Sequence, residues 1–260
     1  MAEAVGIARS LARRGFTEVC CTPHLIRGFH EPDSQLMATA LRELQERLDD
    51  LGIGLRLHAG REYYLDEFLL DLIHDPVTVA GGDCVLVEIP GNGIPGMVKD
   101  TLYRLRCTGY TPLIAHPERC GLLQLPATPG RSLMDWFRIG RSAVKAAKLK
   151  PRTVTPHSQL QTENQKLSTP SLLNYLKDLN CLFQGNIGSF AGIYGEQVRR
   201  RAVRFLESGL YSCLGSDAHS VRTLDELLDK GLREIELIAG TEGLQRLLAG
   251  PPTGKAERSG

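Results

Sequence analysis

The stretch that decides the architecture is CVLVEIPGNGIPGMVKDTLYRLRCTGYTPLIAHPER, residues 84–119. Two short apolar runs, 84–89 and 111–115, enclose an amphipathic segment over 96–107. Each run ends in ionisable chemistry: Glu88 closes the first, and His116, Glu118 and Arg119 follow the second. Short apolar strands joined by amphipathic helices predict a parallel sheet covered by helices.

The same rhythm extends in both directions. Helices are predicted over 3–14, 34–51, 66–73, 171–178, 196–208 and 223–248, and further strands over 18–22, 54–59, 181–184 and 211–214. That makes six strands in all. The pattern begins on a helix, whereas a β/α barrel begins on a strand. The chain therefore reads either as a barrel without its first strand or as an open sheet.

A chain of 260 residues is enough for one α/β barrel or two small domains. We expect a single domain over 1–260 with one interruption. From about 124 to 170 no strand-like run occurs, and Arg131, Arg138, Arg141, Lys145, Lys148, Lys150, Arg152 and Lys166 face only Asp135 and Glu163. This reads as a basic, solvated insertion, with a basic amphipathic helix available over 132–148 around Trp136 and Phe137. A polar tail, 250–260, is expected to be disordered.

The formal net charge of +1 lends no support to nucleic-acid binding. No apolar run reaches the roughly 18 residues of a membrane span. The first residues, MAEAVGIARSLARRG, lack the layout of a secretory signal. The seven cysteines are odd in number and contain no Cys-x-x-Cys, which fits packing thiols in a reducing cytoplasm.

Function is written at the strand ends. The first strand leads to Thr22-Pro23-His24, the second to Gly60-Arg61-Glu62, the third to Val87-Glu88, the fourth to His116-Pro117-Glu118-Arg119 and the sixth to Ser216-Asp217-Ala218-His219. In parallel α/β folds the carboxyl ends of the strands share one face, where ligands bind. Mixed imidazole and carboxylate groups suit divalent Mn, Fe or Zn. Alternate residues of an extended segment point the same way, as Asp217 and His219 require. Two such ions can clamp a phosphate for in-line displacement.

Any one of these residues, taken alone, reads more readily as a surface or core side chain; their recurrence at five strand ends carries the inference. Arg119, three residues past His116, offers a guanidinium fork for phosphate oxygens. Arg222 has the same spacing from His219 and reads equally well as a surface arginine. His30 is a weak candidate for lining the site, His58 reads as structural, and His74 and His157 are not placed at strand ends. Cys21 and Arg27 match the Cys-x5-Arg spacing of cysteine-dependent phosphatases. That reading is rejected. Pro23 removes a backbone donor from the loop, no glycine relaxes it, and the apolar setting of Cys20 and Cys21 favours neutral thiols.

The motifs CCTPH (20–24), GREYYLDE (60–67), VLVEIP (85–90), GYTPLIAHPERC (109–120), GSFAGIYGEQVRRRA (188–202) and GSDAH (215–219) together resemble the bacterial PHP-superfamily protein-tyrosine phosphatases of capsular and exopolysaccharide synthesis. The resemblance covers residues 3–123 and 170–235. It implies a distorted β/α barrel, seven-stranded in the family, with two or three Mn2+ ions at the strand carboxyl ends. His24, Glu62, Glu88, His116, Asp217 and His219 are the implied metal ligands. Arg119, with Arg222, is implied in phosphate binding, and Arg119, His116 and Asp217 in catalysis. No covalent phospho-enzyme is implied. The implied partner is a tyrosine-phosphorylated protein, a bacterial tyrosine kinase.

Two departures shape the expectation. Family members open on a strand bearing Asp-x-His-x-His, whereas this sequence starts at the helix after it. One strand and two histidine ligands are therefore expected to be missing, through an upstream start codon or decay of the copy. The insertion after Gln124 is also foreign to the family. The competing readings are a catalytically impaired remnant that only binds a partner, and a phosphatase of a small phosphorylated metabolite such as histidinol phosphate.

Overall fold

The computed structural model describes residues 1–125 and 171–252, which belong to one compact unit. The predicted basic insertion, with its helix over 132–148 and His157, lies outside the described residues, as does most of the predicted tail.

Eight parallel strands occur in the described residues: β1 (Glu18–Cys21), β2 (His24–Leu25), β3 (Arg56–Ala59), β4 (Glu62–Tyr64), β5 (Cys84–Glu88), β6 (Thr111–Ala115), β7 (Leu182–Asn186) and β8 (Cys213–Gly215). The helices are α1 (Ala2–Arg13), α2 (Ser34–Asp50), α3 (Leu69–Leu72), α4 (Pro95–Cys107), α5 (Leu172–Asp178), α6 (Ile187–Phe190), α7 (Glu196–Glu207) and α8 (Leu224–Leu248). The last of these breaks at Gly240, where φ is 75°.

The expected first and second strands are each split in two. Pro23 has no N–H for a sheet ladder, and the chain bends there between β1 and β2. A matching bend at Gly60 separates β3 from β4. A Cβ on Gly60 would lie 2.6 Å from Cys20 Sγ and 2.8 Å from Thr22 Cγ2, so only glycine lets the two bends pass each other. As a result β1 pairs with β3 in a small sheet of its own, while β2-β4-β5-β6-β7-β8 form the main sheet in that order.

The main sheet curls. Its end strands are β2 and β8, yet the ring of His24 on β2 stacks on that of His219, just past β8, with centroids 5.7 Å apart and planes at 19°. An open, flat sheet would hold its two ends apart; this one has nearly closed, as a distorted β/α barrel. The helical layer closes with it, because α1 packs against both α2 and α8. Arg14, the C-cap of α1, pairs with Asp225 at 2.6 Å and Asp229 at 2.9 Å, and Ser10 hydrogen-bonds Asp225.

Strand periodicity divides the interior. Val85, Val87, Ile114 and Phe183 point outward into the main core beneath the helices. Cys84, Leu86, Leu113, Ala115 and Cys213 form a smaller inner cluster. Fully burying a leucine such as Leu86 or Leu113 contributes about 1.5–3 kcal/mol. Glu88 continues the inward row Cys84–Leu86, so the parity that fills the inner cluster also aims a carboxylate over its mouth. Among the described residues no helix is long and apolar enough to cross a membrane.

Candidate metal centre

The centre sits above the inner cluster. Glu62 opens β4 in register with His24 of β2 on one side and Leu86 of β5 on the other. It is 4% exposed. One of its oxygens meets His116 Nε2 at 3.0 Å, and the other lies 4.0 Å from His24 Nδ1. Glu88 Oε1 lies 4.0 Å from the same His116 nitrogen. His116, 5% exposed, is turned inward by a left-handed backbone at φ 30°, ψ 58°. Burial opposes its charged form, but the hydrogen bond and charge of Glu62 outweigh burial and raise its pKa.

A second group assembles where β8 ends. Asp217 also has a left-handed backbone, φ 49°. Its Oδ2 accepts from Arg119 Nη1 at 2.7 Å and Asn186 Nδ2 at 3.1 Å, with Tyr194 Oη at 3.5 Å. Its Oδ1 lies 3.5 Å from His219 Nδ1. The Arg119 guanidinium lies over the Tyr194 ring, 4.5 Å from its centroid. Left-handed backbone at non-glycine residues costs on the order of 1–3 kcal/mol and concentrates at functional sites. His116 and Asp217 are two of the four such residues described.

Two sets of side chains place their ligand atoms within 4.8 Å of one another: His24 with Glu62 and Glu88, and His24 with Asp217 and His219. His24 belongs to both. Imidazole nitrogens and carboxylate oxygens at these separations fit a divalent transition cation. All six predicted ligands thus gather in one place, and Arg119 joins them through Asp217.

Among the described residues, no contact joins Arg222 to the cluster. It is exposed, and its charge acts on Glu3 of α1. His30 is exposed, in a turn bridged to Ile26, and His58 makes a 3.0 Å surface pair with Glu18. The cysteine alternative finds no geometry either. Arg27 stacks on Phe68 at 4.3 Å and pairs with Asp71 at 3.8 Å. Burial raises the pKa of Cys21 and pushes that of Cys20 up to about 11, so both thiols stay protonated.

The profile of the family described as "Capsular polysaccharide synthesis, CpsB/CapC" matches residues 1–134 of the 260. The chain belongs to the CpsB/CapC family. The tyrosine-protein phosphatase YwqE of Bacillus subtilis is 26% identical over 243 residues, spanning 93% of this chain and 79% of that protein. CapC of Staphylococcus aureus is 23% identical over 248 residues, spanning 95% and 80%. The fold also matches a crystal structure from work on YwqE and on CpsB of Streptococcus pneumoniae, described there as metal-dependent tyrosine phosphatases. The TM-score is 0.68 at 23% identity, over 97% of this chain and 89% of that one.

Sequence reasoning missed the residues that support the centre. Glu118 is fully buried, and Asn186 and Ser189 are nearly or wholly so. Glu118 stood in plain view between His116 and Arg119; its burial was the missing information. Asn186 heads α6 as its cap, its Oδ1 accepting from Gly188 N–H at 2.7 Å. An Asn just before Ile-Gly-Ser-Phe was a legible capping signal, but nothing local tied it to Asp217.

Proposed function

We propose that this protein is a metal-dependent phosphatase that hydrolyses phosphotyrosine on proteins and serves capsular or exopolysaccharide synthesis. Mn2+ is the proposed ion and a tyrosine-phosphorylated kinase the proposed partner. The seven free thiols suit the reducing cytoplasm as the place of action. The observation that carries the reading is the convergence of His24, Glu62, Glu88, His116, Asp217 and His219 beside an arginine fork.

Glu62 and Glu88, with His116 set against them, would hold one cation and Asp217 with His219 another; His24, whose neutral imidazole has one free lone pair, lies within reach of both sets and would serve one cation at a time. A divalent cation held there supplies Lewis-acid stabilisation of the charge that develops on the transferring phosphoryl group. The protein's own groups do the rest. Arg119 is pre-aimed by the Tyr194 ring and exchanges Asp217 for phosphate oxygens when substrate enters. The phenol of tyrosine has a pKa of about 10, so its phenolate departs with modest help. Catalysis then rests on positioning and electrostatics rather than on a covalent intermediate.

The rim favours a protein substrate over a small metabolite. Phe29, Phe68, Ile94 and Ile193 are 87%, 38%, 67% and 50% exposed. Phe29, Phe68 and Ile94 lie on the loops that follow β2, β4 and β5, and Ile193 in the turn between α6 and α7, all past the strand ends that carry the ionisable cluster. Apolar side chains around a polar site match a polypeptide flanking the phosphorylated ring.

The test is phosphate release from a phosphotyrosine peptide in Mn2+. Turnover is expected, with loss in EDTA and recovery when Mn2+ is restored. Histidinol phosphate is expected to react at least about tenfold more slowly. Undiminished turnover in EDTA, or none with Mn2+, overturns the proposal; a preference for histidinol phosphate overturns the substrate assignment.

A further inference from the structure

A buried polar relay runs behind the candidate centre. Glu118, fully buried, belongs to neither ligand group. Its Oε1 accepts from Asn186 N–H at 2.9 Å and from Ser189 Oγ at 2.7 Å, and its Oε2 accepts from Tyr211 Oη at 2.9 Å. Burial, then the charge of Glu118, pushes the Tyr211 pKa well up, so this hydroxyl remains a donor. A buried carboxylate is tolerated only when its oxygens are met in this way. The arrangement therefore pins the Asn186 backbone to the turn that carries His116 and Arg119.

The Asn186 side chain is equally constrained. Its Oδ1 takes the Gly188 N–H at 2.7 Å, which turns Nδ2 toward Asp217 Oδ2 at 3.1 Å. That same Asp217 oxygen already receives Arg119, with Tyr194 alongside. An oxygen with two strong donors has its lone pairs engaged. The other oxygen, Oδ1, faces His219.

We propose that Asn186, anchored by the buried carboxylate of Glu118, is a positioning residue: it commits one oxygen of Asp217 to the protein and leaves the other for a cation shared with His24 and His219. This rests on the metal-dependent reading above. Outer groups that orient a ligand typically change metal affinity 10–100-fold when removed.

Asn186→Ser separates this role from helix capping, because serine retains a capping oxygen but is too short to donate to Asp217. Mn2+ binding is read from loss of the free-ion electron paramagnetic resonance signal, and stability from the metal-free melting temperature. The serine variant is expected to melt like the parent and to bind Mn2+ about 10–100-fold more weakly. Asn186→Ala is expected to lose both, since the cap goes as well. Parent-like Mn2+ affinity in Asn186→Ser overturns the proposal, whatever its melting temperature. Glu118→Gln, near-isosteric, checks the anchor: weaker Mn2+ binding is expected, and parent-like affinity overturns the part assigned to Glu118. A parent protein that takes up no Mn2+ overturns the metal reading and this inference together; a parent that binds normally beside an unaffected serine variant overturns the inference alone.

Discussion

On the side of the centre built by β2, β4, β5 and β6, Glu62 and Glu88 face His24 and His116, and the strongest contact is between a carboxylate and an imidazole at 3.0 Å. On the side built by β7 and β8, Asp217 is held by a guanidinium, an amide and a phenol. The first side concentrates negative charge and compensates part of it by raising the pKa of His116. The second carries its own cation in Arg119. Under the proposed function the first side would meet its cation with carboxylates and imidazoles alone, while the second would set beside Asp217 and His219 an arginine that can exchange a carboxylate for a phosphate.

Removing the imidazole tests the first side most severely. His116→Ala is expected to lower turnover by about 10³-fold, corresponding to the several kcal/mol that a Lewis-acid site supplies. Far-ultraviolet circular dichroism is expected to stay nearly unchanged. Full turnover in this variant would remove His116 from the centre.

On the second side, Arg119→Lys keeps the charge and loses the fork. We expect kcat/KM on a phosphotyrosine peptide to fall by about 10²-fold, the scale of one charge-assisted hydrogen bond, with Mn2+ affinity unaltered. Loss of Mn2+ binding instead would mean that the two sides do not divide their labour as described.

Smaller effects are expected at the rim. Phe29→Ser combined with Ile193→Ser should raise KM for the peptide by about tenfold, as one or two kcal/mol of apolar contact is removed. KM for p-nitrophenyl phosphate, which lacks a flanking chain, is expected to hold. A parallel rise for both substrates would locate these side chains in the site itself. Cys21→Ala is the smallest case: turnover within about twofold of the parent is expected for a surface-like effect, and its abolition would revive the cysteine mechanism.

Much of the candidate centre was legible before folding, because an ionisable residue at a strand end is covalently next to the apolar run that announces it. Glu88 follows Cys84 and Leu86 at the spacing that points all three inward, and His116 follows β6 directly. Arg222 shows where spacing fails. Its offset from His219 equals that of Arg119 from His116, yet the turn after β6 carries Arg119 back to Asp217, whereas Arg222 lies beside Glu3.

The sequence by itself determined the strand–helix alternation and which ionisable residues stand at the strand ends, since each depends on residues within a few positions of one another. Tertiary structure alone decided the bends at Pro23 and Gly60, the curl that brings His24 to His219, and the partners of Asp217 and Glu118. Arg119 and Asp217 are 98 positions apart, and Asn186 and Glu118 are 68 apart. Separation along the chain sets no distance between such groups. Only the curvature of the packed sheet does, and it places a neutral amide and a buried carboxylate behind Asp217, a candidate ligand that the strand ends had already named.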